Sequence, residues 1–212
     1  MEGGADVRSV LLWMFVSYLI GSLPTGYLAA RLVKGVDIRT IGSGSIGATN
    51  VRRLMGKGWA VFVALVDMFK GALALLLTAH AGVPGSGAFP GGPSLLPALS
   101  AFAVVVGHNY PVWLKFRGGK GVATTYGTMF FVWPYQSFAI VLMCGAIWYG
   151  IMNVTRYVSL ASMLSLAAMP AFFWMLDAPV PFTCVAALLA ALSIFRHRAN
   201  VARLFRGEEN AV

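Results

Sequence analysis

The 212-residue chain has little charge, because only 11% of its residues are Asp, Glu, Lys or Arg while 58% are hydrophobic. A soluble globular domain carries about 25% charged residues, so this chain cannot cover a globule of its size with charge. The apolar residues also form long runs, and the charges lie between them. This pattern excludes an ordinary soluble protein and predicts an integral membrane protein.

Side chains that bind metals are also scarce, with two cysteines and three histidines. Cys144 and Cys184 both lie in apolar runs without a histidine nearby. A free cysteine in such a run behaves as a small hydrophobic residue, so we expect both to pack in the core. The sequence therefore predicts no metal site and no cofactor.

Acidic residues are few, since 7 Asp and Glu face 16 Lys and Arg, and the net charge is +9. In a soluble protein this excess would indicate nucleic acid, but we predict no such partner here. The positive-inside rule explains much of it, and an anionic lipid or substrate would account for the rest. Most basic residues lie in 31–57, 108–120, 153–157 and after 195. We therefore predict that these segments and the C-terminus are cytoplasmic and that the N-terminus is outside.

The apolar runs predict an all-α membrane fold of about seven transmembrane helices, in a single domain that covers residues 1–212. The predicted spans are 8–30, 58–79, 94–107, 121–133, 136–152, 158–176 and 180–195. The third and fourth are shorter than the roughly 17 residues that a straight crossing needs. The Gly-, Pro- and Ser-rich stretch 82–93 is predicted to be an outer linker.

The segment 41–53 reads IGSGSIGATNVRR and contains the spacing G-x-G-x-x-G. A dinucleotide site would need a preceding strand and a parallel sheet, whereas a predicted membrane span precedes this loop. A P-loop would need Lys-Ser or Lys-Thr after the last glycine, where this chain has Ala48 and Thr49. Both nucleotide-binding interpretations therefore fail.

The residues of this loop still suit a phosphate group, because glycine N–H groups can form an anion-binding nest and hydroxyl, amide and guanidinium groups add donors. The candidates are Gly42, Gly44 and Gly47, with Ser43, Thr49, Asn50 and Arg53. The alternative is a flexible loop whose arginines only set the membrane topology.

Three further segments on the same predicted face combine glycine, hydroxyl and basic side chains. They hold Gly118, Gly119 and Lys120, then Ser159 and Ser162, then His197 and Asn200. Simpler alternatives exist: Ser159 could cap a helix, and the last segment could be a basic amphipathic helix on lipid headgroups. Together, the four segments favour one cytoplasmic pocket for phosphate groups.

Two charges and a histidine admit two interpretations. Asp67 and Lys70 are three residues apart in the second predicted span, where charges are costly and usually functional. They either form a structural pair or belong to the site. His108 in the same way either bonds to backbone at the membrane interface or joins the site.

The chain resembles the bacterial acyl-phosphate-dependent glycerol-3-phosphate acyltransferases. The segments that carry the resemblance are GSLPTGYL at 21–28, IGSGSIGATNVRR at 41–53, DMFKG at 67–71, GHNYPVWLKFRGGKGVAT at 107–124, RYVSLAS at 156–162 and RHRANVARL at 196–204. They follow the family's order over nearly the whole chain. Ser45 departs from the family, which usually has Asn there, and the stretch 80–93 is longer than usual.

The resemblance implies a seven-helix enzyme of the bacterial inner membrane with its active site on the cytoplasmic face. It implies transfer of a fatty acyl group from acyl phosphate to the 1-hydroxyl of glycerol 3-phosphate, with lysophosphatidic acid and inorganic phosphate as products. The partners are these two substrates and membrane lipid. We expect the chain to act as a monomer.

Carried over by position, the family's site residues are Ser43, Thr49, Asn50, Arg53, Lys120, Ser162, His197 and Asn200, with Ser159 as a further member. We assign catalysis to Ser43, Arg53, Lys120, Ser162 and His197. We assign substrate binding to Gly42, Gly44, Gly47, Thr49, Asn50, Gly118, Gly119, Ser159 and Asn200.

Acyl phosphate is a mixed anhydride and is already activated, so no covalent enzyme nucleophile is required. None of the three histidines is followed by Asp five residues later, and no G-x-S-x-G elbow occurs. We expect Arg53, Lys120, His197 and Asn200 to hold glycerol 3-phosphate and the 42–50 loop to hold the acyl phosphate. The hydroxyl proton would pass to His197 or to the substrate's own phosphate, and the resemblance favours the phosphate.

Two other classes of protein fit this sequence less well. A transporter would place its polar residues at the membrane midplane, whereas here they cluster on one predicted face. A non-catalytic lipid-binding scaffold would not need Lys120 or Ser162.

Overall fold

The structure is a computed structural model that describes residues 6–81, 83, 95–130 and 134–211. Over these ranges the chain is helical and contains no β-strand. The helices are α1 (Val7–Gly21), α2 (Thr25–Lys34), α3 (Ala48–Met55), α4 (Lys57–Ala79), α5 (Leu95–Asn109), α6 (Val122–Phe130), α7 (Pro134–Thr155), α8 (Val158–Met175), α9 (Val180–Arg196) and α10 (Arg198–Phe205).

Within the described residues the predicted spans coincide with helical segments, and the all-α fold is confirmed. Within the described ranges, five helical stretches are long and apolar enough to cross a bilayer, and the pair α9 and α10, bent by 58°, would make a sixth. Helix α6 is described over 9 residues, Val122–Phe130. The end of the predicted span 121–133 and most of the predicted linker 82–93 lie outside the described residues. Seven crossings therefore stay a prediction.

The first predicted span, 8–30, is not one continuous helix. Helix α1 ends at Gly21, α2 begins at Thr25, and Pro24 is the residue that precedes α2. Proline lacks an N–H group and disfavours helical backbone in the residue before it, which explains the break. The break leaves the Leu23 carbonyl free to accept a hydrogen bond from the Lys70 ammonium, at 2.9 Å.

Helix α5 contacts α1, α4, α6 and α9. It packs closely on α1 because Gly21 and Gly107 have no side chain at the crossing. A Cβ atom at Gly21 would collide with the backbone of Val104, and one at Gly107 with the backbone of Tyr18. Small residues of this kind let membrane helices approach closely and gain dispersion contacts.

The two cysteines differ in environment. Cys144 is fully buried and belongs to the main hydrophobic core, as predicted. Cys184 is exposed, so the prediction that it packs in the core was wrong. The reason is its register in α9, whose buried face carries Phe182, Val185 and Leu189.

Candidate active site

A cavity of about 410 Å³ lies where α5 and α9 end and where α6 and α8 begin. It brings together most of the predicted site residues, although they are far apart in sequence. Those that line it are Ser43, Gly47, Thr49, Asn50, Arg53, Lys120, Ser159, Ser162, His197 and Asn200. The folded chain therefore joins all four predicted phosphate-binding segments into one site.

Four predicted binding glycines do not line this cavity. Gly42 and Gly44 have φ angles of 56° and 67°, so they form the tight turn of the loop. Gly118 and Gly119 pack against the end of α5, where their N–H groups donate to the carbonyls of Asn109 and His108. All four therefore shape the site without facing its interior.

Asn50 organises the glycine loop. Its Nδ2 group donates to the carbonyls of Ile38, Ile41 and Ser45 at 3.2, 2.9 and 2.9 Å, and its Oδ1 atom accepts from the Ser43 N–H at 3.1 Å. Asn50 is almost fully buried. Its polar atoms thus hold the loop together, although the residue also lines the cavity.

The predicted nest of N–H groups is largely closed by bonds inside the loop. The N–H of Ser43 is bound by Asn50, that of Gly44 donates to the Ile41 carbonyl, and that of Gly47 donates to the Ser45 hydroxyl. Ser45, the residue that departs from the family, therefore accepts a bond within the loop and also lines the cavity.

A candidate anion-binding surface in this segment is instead the first turn of α3. Ala48 and Thr49 begin this helix and line the cavity. The N–H groups of a helix's first turn and its dipole favour a negative charge. Arg53, one turn further on, also lines the cavity and adds a positive charge.

Lys120 carries a positive charge into the cavity. Its Nζ atom donates to Oδ1 of Asn200 at 2.6 Å. Burial lowers the pKa of Lys120 to about 8, the Glu209 carboxylate opposes this effect, and the charges of Arg203, Arg53 and Arg196 add to it. Lys120 is therefore mainly cationic at neutral pH and titrates not far above it.

His197 lies between α9 and α10, and its ring is oriented by backbone. The Nδ1 atom is 2.8 Å from the Ser193 carbonyl. A carbonyl oxygen only accepts, so Nδ1 carries the proton in this bond. In the neutral ring, Nε2 is then the atom with a free electron pair. His197 can thus accept a proton or a hydrogen bond in the cavity that it lines.

Glu209 is a residue of this site that the sequence reasoning missed. Its Oε1 atom accepts from Ser159 Oγ at 2.8 Å and from Asn200 Nδ2 at 2.7 Å, and its Oε2 atom accepts from Arg203 Nε at 2.8 Å. Burial raises the pKa of Glu209, but these hydrogen bonds outweigh it and hold the pKa below its ordinary value. The signal in the sequence was a pair of acidic residues at the end of a basic tail.

The contact with Glu209 also decides between the two interpretations of Ser159. Tyr157 occupies the N-cap position of α8, and Ser159 lies inside the helix. Ser159 therefore does not cap the helix, and its hydroxyl serves the cavity.

One wall of the cavity is apolar and was not predicted. It includes Met68 of α4, Val122 and Tyr126 of α6, Trp148 of α7 and Val158 of α8. The Trp148 indole Nε1 donates to Ser162 Oγ at 3.2 Å, which ties this wall to the polar residues. The cavity therefore combines a cationic end with an apolar side, as an amphiphilic ligand requires.

A buried charge cluster reaches the cavity from α4 and α5. The Lys70 ammonium is 2.8 Å from Asp67 Oδ1 and 2.9 Å from His108 Nδ1. Asp67 and His108 also line the cavity. Asp67 and Lys70 thus form the predicted pair, and Asp67 also borders the site. The His108 ring bonds at Nδ1 to the Lys70 side chain and also borders the site.

Comparison with known proteins agrees with this geometry. The family model described as glycerol-3-phosphate acyltransferase matches residues 11–207. The chain belongs to this family. A glycerol-3-phosphate acyltransferase of Gloeobacter violaceus is 45% identical over 195 residues, which cover 91% of this chain and 90% of the relative. One from Clostridioides difficile is 39% identical and covers 98% of this chain and 97% of its own length.

Two solved structures have the same fold. Both are of PlsY, an integral membrane glycerol 3-phosphate acyltransferase, one in its glycerol 3-phosphate form and one in its lysophosphatidic acid form. The first has a TM-score of 0.86 and 38% identity, and the match covers 96% of each chain. The present chain is thus a bacterial multi-pass membrane enzyme that transfers acyl groups.

Proposed function

We propose that this enzyme transfers a fatty acyl group from acyl phosphate to the 1-hydroxyl of sn-glycerol 3-phosphate. The products are lysophosphatidic acid and inorganic phosphate, so the reaction is a first acylation step of phospholipid synthesis. The observation that carries the proposal is the cavity itself, in which Lys120, His197 and Asn200 face the same space as Met68 and Trp148. This combination suits two phosphorylated substrates, one of which has a hydrocarbon chain.

Glycerol 3-phosphate binds at the cationic end of the cavity. Lys120 and Arg53 supply positive charge, and a guanidinium group can grip a phosphate with two hydrogen bonds. Asn200 is held from both sides, by Lys120 at its Oδ1 atom and by Glu209 at its Nδ2 group. This arrangement keeps the Lys120 ammonium at the cavity, where it can exchange an amide partner for a phosphate oxygen.

The acyl phosphate head binds at the first turn of α3, beside Ser43 and Thr49, and its chain runs along the apolar wall. Ser162 lines the same cavity, and its hydroxyl accepts from Trp148 of the apolar wall. Catalysis then consists of alignment together with stabilisation of the developing oxyanion and the leaving phosphate. Alignment alone can lower a barrier by roughly 7–11 kcal/mol.

The chemical step forms one C–O bond and breaks another. The 1-hydroxyl oxygen attacks the acyl carbonyl carbon, and the bond between that carbon and the phosphate oxygen breaks. The hydroxyl proton passes to a base, which is either Nε2 of His197 or a phosphate oxygen of the substrate. The electron pair of the broken bond leaves with inorganic phosphate. We propose the substrate phosphate as the base, with His197 as a binding residue.

The variant His197→Gln separates the two bases. We expect kcat to stay within about ten-fold of the wild-type value and the KM for glycerol 3-phosphate to rise, because glutamine keeps a polar group but is not a base. A loss of kcat by 100-fold or more, which is on the order of a general base's contribution, would instead assign the proton transfer to His197.

We further propose that the cavity faces the cytoplasm and that a single chain of one domain suffices. The lining within one chain already holds the cationic groups Lys120 and Arg53 together with the apolar wall, so the proposed reaction needs no group from a second copy. The basic segments 31–57 and 108–120 both contribute residues to the cavity lining, and positive loops remain inside the cell. Membrane lipid contacts the apolar outer faces of the helices.

The experiment that tests the reaction measures phosphate release by detergent-purified protein. Palmitoyl phosphate is supplied with and without glycerol 3-phosphate, and palmitoyl-CoA is the control donor. We expect release from palmitoyl phosphate that depends on glycerol 3-phosphate, and no product from the CoA ester. Product from the CoA ester alone would overturn the proposed donor. Flux of glycerol 3-phosphate into liposomes without acylation would indicate a transporter instead.

A further inference from the structure

The Lys70 ammonium is held by three acceptors from three parts of the chain. They are Asp67 Oδ1 at 2.8 Å, the Leu23 carbonyl at 2.9 Å and His108 Nδ1 at 2.9 Å. An ammonium group has three donors, so this set satisfies it completely. The Thr25 hydroxyl adds a bond to Asp67 Oδ1 at 3.1 Å. The cluster therefore fixes α4, α5 and the α1–α2 break to one another.

The same contacts fix the tautomer of His108. An ammonium group can only donate, so Nδ1 of His108 accepts and the ring proton lies on Nε2. The Nε2 edge of the ring rests against Gly119, because a Cβ atom there would collide with Nε2, Cδ2 and Cε1. The imidazole thus occupies the space that a side chain at position 119 would need.

The segment that precedes Lys120 is held on both sides. On one side, the Gly119 N–H donates to the His108 carbonyl at 3.0 Å, and the ring of His108 packs on Gly119. On the other side, Arg196 donates to the Gly119 and Gly118 carbonyls at 3.0 and 3.2 Å. Lys120 follows directly, so its backbone position depends on both contacts.

We propose that Lys70 and His108 are positioning residues that set where the Lys120 ammonium meets the phosphate of glycerol 3-phosphate. Lys70 orients His108, His108 supports Gly119, and Gly119 fixes Lys120. The inference rests on the proposed phosphate-binding role of Lys120. A buried charged cluster is costly in a membrane, and its role in aligning a binding group is one reason to retain it. A cluster that only held helices together would not affect substrate binding specifically through Lys120.

The test is the variant Lys70→Met, which keeps an unbranched side chain of similar length but removes the charge. We expect the KM for glycerol 3-phosphate to rise about ten-fold, with kcat and the KM for acyl phosphate within about two-fold of wild type. Lys57→Met, at the exposed start of the same helix, is the matched control and should leave all three constants unchanged. A fall in kcat with both KM values unchanged would overturn the inference, because it indicates loss of folded enzyme only.

A double-mutant cycle shows whether Lys70 acts through Lys120. If it does, Lys70→Met combined with Lys120→Ala has the same KM for glycerol 3-phosphate as Lys120→Ala alone. Effects that multiply, so that the double variant is about ten-fold worse than Lys120→Ala, would overturn the inference while the role of Lys120 stands. An unchanged KM in Lys120→Ala would overturn that role and the inference together.

A second variant keeps the test valid if Lys70→Met fails to fold. Removing one member of a buried ion pair leaves an unpaired charge and can be strongly destabilising. The combination Asp67→Asn with Lys70→Met removes both charges. We expect it to fold and to show the same rise in the KM for glycerol 3-phosphate. Wild-type KM values in this variant would overturn the proposal.

Discussion

Lys120 combines a positive charge with burial beside the cavity, where we propose that it binds the substrate phosphate. Its ammonium donates to Asn200 and lies among the charges of Arg53, Arg196 and Arg203. Burial lowers the pKa of Lys120 to about 8. A charge with this pKa can be lost under mild conditions, whereas an arginine would keep it. The binding role proposed for Lys120 therefore depends on its protonation state.

The pH dependence of substrate binding follows from this pKa. Lys120 is charged below pH 8 and loses its proton as the pH rises through about 8. We expect kcat/KM for glycerol 3-phosphate, which reports the free enzyme, to fall as the pH rises past that value. In Lys120→Arg the decline should vanish up to about pH 10, because guanidinium stays protonated. The measurement is initial rate against pH with uncatalysed hydrolysis subtracted. An identical decline in both proteins would contradict the prediction.

Two adjacent glutamates give a matched pair of variants. Glu209 accepts bonds from Ser159, Asn200 and Arg203, whereas the exposed side chain of Glu208 bonds only to Arg206 among the described residues. We expect Glu209→Ala to raise the KM for glycerol 3-phosphate about ten-fold or more, because Asn200 loses the acceptor that orients it. Glu208→Ala should behave as wild type. Equal kinetics of the two variants would show that the tail does not order the site.

At the scale of elements, the crossing of α1 and α5 depends on two glycines. Gly21→Ala places a methyl group against the backbone of Val104, so the helices must separate. Such overpacking costs about 1–3 kcal/mol, and we expect a lower thermal midpoint in detergent. Gly150→Ala on α7 is the control, because a Cβ there meets nothing within 4 Å. A midpoint that falls equally in both variants would count against the packing argument.

The sequence predicted the long apolar helices accurately but not the short helix α3. The apolar runs predicted α4 and α8 to within a residue or two, because every membrane-crossing backbone must satisfy its own hydrogen bonds. The sequence did not predict α3, which is too short and too polar for periodicity to reveal. Its first turn nevertheless lines the cavity, whereas several N–H groups of the glycine loop are bonded within the loop.

At the scale of the whole molecule, the predicted topology places the cavity end of the helices in the cytoplasm. When Cys144 and Cys184 are replaced, a single introduced cysteine can be labelled from outside the cell with a membrane-impermeant thiol reagent. We expect Asp177→Cys, in the exposed link between α8 and α9, to react in intact cells. Gly207→Cys, in the exposed tail after α10, should react only after lysis. The reverse pattern would invert the topology and move the active site outside.

The sequence by itself determined the membrane class, the uneven distribution of basic loops and the segments that form the site. These features follow from composition and from motifs within single segments, so they require no contact between distant parts of the chain. The tertiary structure alone decided which groups remain free to bind. Asn50 closes the glycine loop, Glu209 joins Ser159 to Asn200, and Lys70 reaches His108 across 38 positions of chain. A polar group can bind a ligand only if no other group of the chain already bonds to it. Those bonding partners are distant in sequence and come together only when the helices pack.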